Sequence, residues 1–156
     1  MAVTVNIDLG YEFEVRATAA EVFDVLSDVP ASVSHFPKVD KLTGLGDGVY
    51  KWEMEKVGTA QVNIQTVYAS KYVSDKASGT VAWTPVAGIG NALVGGQWKI
   101  RDHQTSTGIE LEMDGEITLP LPGLMKMAVA PVVENEFGKL VDRYIANLIQ
   151  RFGGQA

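Results

Sequence analysis

The spacing of apolar and polar residues changes period near the end of the chain, and that change organises the reading of everything before it. Ile109, Leu111, Met113, Gly115, Ile117 and Leu119 alternate strictly with Glu110, Glu112, Asp114, Glu116 and Thr118. A strand here turns one face to a core and the other to water. Beyond Leu119-Pro120-Leu121-Pro122 the period becomes helical. Phe137, Leu140, Val141, Tyr144, Ile145, Leu148, Ile149 and Phe152 recur one helical turn apart, with Glu134, Glu136, Lys139, Asp142, Arg143, Asn147 and Arg151 between them. One long amphipathic helix therefore has an antiparallel sheet to lie against.

The two-residue period also opens the chain. Residues 3 to 16 read as a strand, with Tyr11, Phe13 and Val15 on one face and Glu12, Glu14 and Arg16 on the other. Thr18 with Glu21 three positions on has the spacing of a capping box, so a helix of about ten residues begins there, its apolar face supplied by Val22, Phe23, Val25 and Leu26. A second short helix is predicted from Pro30, since proline suits a first helical turn, with Val33 and Phe36 as its buried residues.

From Lys38 onward, turn signals at Gly46-Asp47-Gly48, Gly58-Thr59, Asp75 to Gly79, Gly88 to Gly96 and Ser106-Thr107-Gly108 mark out six more strands. Lys99 and Arg101 are placed to pair across a hairpin with Glu110 and Glu112 on the outer face. No repeat or linker interrupts the pattern, so residues 1 to 156 read as a single α+β domain. Its seven antiparallel strands must bury one face, and the terminal helix is the large element available to cover it. Pro131 is the irregularity: it removes a hydrogen bond to the carbonyl of Met127, and predicts either a kink or a separate short turn over Leu124 to Val129.

Composition narrows the function classes. The 156 residues, 46% hydrophobic, suffice for one full core, and a net charge of -6 argues against a nucleic-acid surface. The absence of cysteine excludes disulfides, thiolate nucleophiles and sulfur-bound zinc. Two histidines, His35 and His103, are too few for a histidine-rich metal site, so neither metal nor cofactor is expected. Met1 to Gly10 carries no basic residue and alternates like a strand rather than a signal segment. No apolar run reaches the roughly 18 residues of a membrane span. A cytoplasmic protein is expected.

The element order, the segment Ala17-Thr18-Ala19-Ala20-Glu21-Val22-Phe23-Asp24-Val25-Leu26-Ser27-Asp28 and the following Phe36-Pro37-Lys38-Val39 resemble the helix-grip superfamily. This group, also called SRPBCC, contains START domains, polyketide cyclase-like proteins and the birch-pollen allergens. The chain looks most like its small bacterial members, which are polyketide cyclase/dehydrase-like proteins and proteins similar to the G subunit of carbon monoxide dehydrogenase. The resemblance implies a curved seven-stranded sheet gripping the C-terminal helix around an apolar cavity. Its members are ligand carriers, lipid-transfer modules, cyclases or hydrolases, and fold analogy does not choose among them.

Three readings follow. The leading one is a binding protein, not an enzyme, that holds a small hydrophobic molecule such as a lipid, quinone or polyketide-like ring compound between sheet and helix. Its inward candidates are Phe13, Trp52, Met54, Ile64, Trp98, Ile100, Leu111, Met113, Phe137, Val141 and Tyr144. Trp52, Trp83 and Trp98, with Tyr50, Tyr68 and Tyr72, would give flat walls and a few polar handles; core packing is the plainer reading for any one of them. The second is a polyketide cyclase or dehydratase in which His35, as general base, and a tyrosine move protons on an aromatic precursor; no carboxylate is placed by sequence to orient His35, and His103 beside its hairpin reads as solvated. The third is an accessory protein docking on a membrane or a larger complex through the apolar, methionine-bearing stretch Leu121 to Val133, which reads equally as a gate over the cavity or as packed helix. Gly88 to Gly96 lacks the following helix that a phosphate loop needs, so its glycines are read as turn residues. Oligomeric state is left open.

Overall fold

The computed structural model describes residues 3–58 and 63–156, with side chains described outside 57–64. Strand β1 (Val3–Val15) is followed by helices α1 (Ala19–Ser27) and α2 (Val29–Val33). Then come β2 (Val39–Gly46), β3 (Val49–Met54), the two-residue strands β4 (Val57–Gly58) and β5 (Asn63–Ile64), β6 (Val67–Asp75), β7 (Thr80–Val86), β8 (Ala92–Asp102) and β9 (Thr107–Leu119). A 3₁₀ turn at Gly123–Met125 leads into α3 (Lys126–Arg151). Seven strands form one antiparallel sheet in the order β1-β9-β8-β7-β6-β3-β2, and β4 and β5 pair separately. The α+β architecture matches the pattern of periods in the sequence. The expected break near Gly58-Thr59 falls between β4 and β5, where Thr59 lies outside the described residues.

Local chemistry explains the joints. Thr18 caps α1, its hydroxyl oxygen accepting the Glu21 amide at 3.2 Å. Asp28 ends α1 and starts α2, its carboxylate accepting from the Ala31 amide at 3.3 Å, with Pro30 in the first turn. Between β2 and β3, Asp47 and Gly48 both have positive φ, 53° and 78°. These are the two central positions of a type I′ hairpin turn, whose twist suits the flanking strands.

The turn predicted over Gly88 to Gly96 is shorter than expected, because β8 already begins at Ala92. Asn91 sets that boundary: its backbone amide donates to the Val67 carbonyl, its side-chain oxygen accepts from the Val67 amide, and its side-chain nitrogen donates to the Gln65 carbonyl, each at 2.9 Å. Those bonds fasten the loop to the start of β6. On the outer face Lys99 lies opposite Glu110, Gln97 opposite Glu112 and Arg101 opposite Gly108. Arg101 reaches Glu110 at 3.4 Å, while Glu112 accepts from Gln97 at 3.2 Å. The Gln97 hydrogen bond, a contact with Glu110 and the nearby Lys99 hold the Glu112 carboxyl below its usual range.

Pro131 lies inside α3, which continues through it as one helix, so the separate turn expected over Leu124 to Val129 is replaced by the shorter one at Gly123–Met125. The proline sits within the first two turns and removes only the hydrogen bond to Met127. Val129 and Val133, both 0% exposed, are packed on either side of it. Their burial holds the backbone helical where the proline alone would loosen it.

The core lies between the inner face of the sheet and the three helices. From the sheet, Val3, Val5, Val15, Val81, Ile109, Leu111 and Ile117 are buried; α1 adds Val22 and Leu26, and α3 adds Leu140, Val141 and Leu148. At the C-terminus, Ala17 and Arg16 donate backbone bonds to the carbonyls of Phe152 and Gly154. This ties the end of α3 to the end of β1. Tyr11 on β1 adds a side-chain bond to Asp142 of α3 at 2.9 Å.

Candidate functional site

One region of this interior is built from aromatic rings. The pairing of strands puts Trp52 of β3 directly opposite Tyr68 of β6, and Tyr72 of β6 opposite Trp83 of β7, so neighbouring strands deliver aromatics to the same face. Trp98 joins from β8, Phe36 from the segment after α2, and Tyr144 from α3. Phe36 meets Trp52 edge-on at a centroid distance of 5.4 Å and Tyr144 at 4.9 Å. The Trp52 indole N–H donates to the Tyr72 hydroxyl at 3.1 Å. Tyr72 lies 5.7 Å from Trp83, Trp83 6.4 Å from Trp98, and Trp98 5.9 Å from Tyr144. The circuit closes on itself.

Tyr68 stacks on Trp52, the planes 17° apart. Gly96, opposite Trp83 on β8, makes room for this wall: a Cβ there would lie 2.8 Å from the indole ring. The ring of aromatics surrounds a cavity whose remaining lining is Leu26, Val29, Ser32 and Val33 from the short helices, Met113 from β9 and Phe137 from α3. Its free volume is about 30 Å³, the space of roughly two water molecules. The inward side chains fill most of the space between sheet and helix.

Among the described residues, four hydroxyls belong to this lining. The Ser32 and Tyr144 hydroxyls hydrogen-bond to each other across the gap between α2 and α3. Tyr72 is partly exposed and accepts from Trp52, and Tyr68 is buried. Burial is the main reason that all three phenols lie above their ordinary pKa. Tyr144 is raised by burial and drawn back by the Ser32 bond. For Tyr72, burial is reinforced by Tyr144 and Tyr50 and opposed by the Trp52 bond. Tyr68 is raised by burial and then by Tyr72 and Tyr144. The phenols are therefore neutral groups that give and accept hydrogen bonds, not bases.

Among the residues predicted to face a ligand, Trp52, Trp98, Met113, Phe137 and Tyr144 line the cavity. Phe13, Met54, Ile100, Leu111 and Val141 are buried but belong to the core outside that lining. Facing inward puts a residue on the correct side of the sheet without putting it beside the cavity. The side chain of Ile64 lies outside the described residues. Trp83, Tyr68 and Tyr72, named with the aromatic set, line the cavity, whereas Tyr50 sits edge-on behind Tyr72 at 5.8 Å.

Leu26, Val29, Ser32 and Val33 were missing from the predicted lining. The terminal helix is not the sole cover of the sheet: α1 and α2 close one side of the cavity. The signal was present in Val33 and Phe36, apolar residues in a short segment otherwise rich in small and polar ones.

His35 is half-buried and its ring is not part of the cavity lining. Its Nδ1 lies 2.9 Å from the Ala31 carbonyl; a carbonyl only accepts, so Nδ1 carries the proton and donates. The His35 carbonyl in turn accepts from the Asn147 side chain at 2.8 Å. The residue joins α2 to α3. His103, expected to be solvated alone, is exposed but bonded through Nδ1 to Glu14 at 3.2 Å, and Ser106 donates to the same carboxylate at 2.8 Å. Among the described residues, no group of three or more His, Asp or Glu side chains comes together to hold a metal ion.

The stretch Leu121 to Val133 contributes nothing to the lining. Leu124 in the 3₁₀ turn and Met127 in the first turn of α3 are 96% and 90% exposed, while Val129 and Val133 on the other face of that helix are buried. Among the described residues, no helix is long and apolar enough to cross a membrane.

Comparison with solved structures supports the fold. The chain is similar to a START superfamily protein from Mycobacterium smegmatis at 18% identity and a TM-score of 0.67, over 94% of this chain and 97% of that one. It is similar to the Zhui aromatase/cyclase from a Streptomyces species at 15% identity and a TM-score of 0.65, over 93% and 90%. A point mutant of norcoclaurine synthase from Thalictrum flavum superposes at 17% identity with a TM-score of 0.60, over 95% and 96%. No curated protein matches the chain by sequence. Residues 7–152 match the model of one sequence family, and the helix-grip architecture agrees with it. The chain is a member of the family described as polyketide cyclase/dehydrase and lipid transport.

Proposed function

We propose that this protein binds one small, flat hydrophobic molecule between the sheet and α3. The observation that carries the reading is the closed ring of Phe36, Trp52, Tyr72, Trp83, Trp98 and Tyr144 around the cavity. A ring of π faces and edges recognises a planar ligand through stacking and edge contacts, and its few hydroxyls orient that ligand. Membership of a family described by cyclisation, dehydration and lipid transport agrees with this reading, as does likeness to an aromatase/cyclase and to a synthase solved with a transition-state analogue.

Carriage is favoured over catalysis. His35, the candidate base, stands off the cavity lining. The phenols are raised above their usual pKa by burial and stay protonated at neutral pH.

All three tryptophans line the cavity, so bound ligand reports itself in intrinsic fluorescence. Titration with naphthalene is expected to give a saturable change with one site per chain, and extraction of freshly purified protein followed by mass spectrometry is expected to release an apolar molecule. No saturable response together with an empty extract would overturn the proposal.

A further inference from the structure

The cavity is too small as it stands for any ring compound, so a ligand enters only if a wall moves. The walls are not equally held. Trp52, Tyr68, Tyr72, Trp83, Trp98 and Met113 stand on strands paired into the seven-stranded sheet, and displacing the backbone that carries any of them breaks ladder hydrogen bonds. Helix α3 is tied to β1 through Tyr11 and Asp142 and through the backbone bonds around Phe152. Helix α2 has five residues and packs mainly on α1. Among the described residues, two side-chain hydrogen bonds join its segment to α3: Ser32 to Tyr144, and Asn147 to the His35 carbonyl.

The Ser32–Tyr144 bond has a second consequence. In the closed protein it satisfies two buried hydroxyls in a largely apolar pocket. Swinging α2 away strips Tyr144 of its partner, and an unpaired buried hydroxyl is unfavourable. A ligand with a hydroxyl or carbonyl oxygen at the right place restores that bond. A hydrocarbon of the same shape does not. A carboxylate would bring an uncompensated charge, because among the described residues no Lys, Arg or His lines the cavity.

We propose that α2 is the lid of the cavity, latched by Ser32 and Tyr144, and that the neutral hydroxyl or carbonyl oxygen of a ring ligand takes over the Tyr144 hydrogen bond when the lid opens. This rests on the proposed binding function, and the test separates the two. Naphthalene, 1-naphthol and 1-naphthoate are titrated into the intact protein and into Tyr144→Phe and Ser32→Ala, following tryptophan fluorescence and calorimetry. Amide hydrogen exchange is followed in the same proteins.

The native protein is expected to bind 1-naphthol at least tenfold more tightly than naphthalene, and naphthoate most weakly. In Tyr144→Phe the naphthol preference collapses to within about twofold while naphthalene affinity is kept or raised, a pattern that unfolding would not produce. Ser32→Ala is expected to raise the association rate of 1-naphthol and to speed exchange of the Ser34, His35 and Phe36 amides, with those of β8 unchanged. A naphthol preference that survives Tyr144→Phe, or exchange at α2 that Ser32→Ala leaves untouched, overturns the latch while the binding site stands. Failure of every probe to bind the native protein overturns both.

Discussion

The sheet side and the short-helix side of the cavity are lined by similar apolar surface but held by different physics. On the sheet side each aromatic side chain is carried by a strand whose backbone bonds run to neighbours on both sides, as for Trp98 between β7 and β9. On the other side Val29, Ser32, Val33 and Phe36 are carried by one short helix and its trailing turn, joined to α3 by two polar side-chain contacts. Local opening follows such differences, since a segment with few backbone ties opens at lower free energy than the sheet around it. The sheet supplies the shape of the site and α2 supplies access to it.

The sharpest way to break this comparison is to damage each side by one residue. Trp98 is 2% exposed, and Trp98→Ala is expected to cost about 3–5 kcal/mol of global stability, seen as a lower denaturant midpoint and faster exchange in β7, β8 and β9 together. Asn147→Ala, which releases the His35 carbonyl, is expected to cost about 1 kcal/mol, with exchange rising in α2 alone. Equal costs and equally wide exchange would show that the two sides are one cooperative unit.

The smallest effect concerns the tie that fixes α3 to β1. Burial, then the hydrogen bond and negative charge of Asp142, push the Tyr11 phenol up to about 12 from its ordinary 10.0. Its neutral form is therefore favoured by folding. The contribution is fully present below pH 10 and is lost as pH rises through 12. Denaturation between those limits is expected to show a falling midpoint, with the fall slightly shallower in Tyr11→Phe. The buried cavity phenols also contribute to the native slope, so only the difference between the two proteins reads Tyr11.

Much of the fold was legible because its signals are local. The alternation in β1 and β9, the Thr18 cap, the Asp47-Gly48 turn and the helical spacing after Phe137 each depend on neighbours a few residues away, and each appears where the pattern predicts it. Of the two outcomes that Pro131 suggested, the separate turn does not occur: α3 runs through the proline, with Val129 and Val133 buried on either side of it. The site was legible in kind and less so in detail. Aromatic residues facing inward were recognisable, yet Phe13, Ile100 and Leu111 face inward without reaching the cavity, and Ser32 carried no signal of its own.

The sequence by itself determined the periods, the caps, the turns and the inner face of each strand, because these follow from covalent geometry and from the partition of side chains between water and a core. Only the tertiary structure decided which inward residues meet. Register set Trp52 against Tyr68 and Tyr72 against Trp83, and the docking of α2 brought Ser32 to Tyr144 across 112 residues of chain. Contacts of that sequence separation depend on the simultaneous placement of several elements, and no local pattern encodes them.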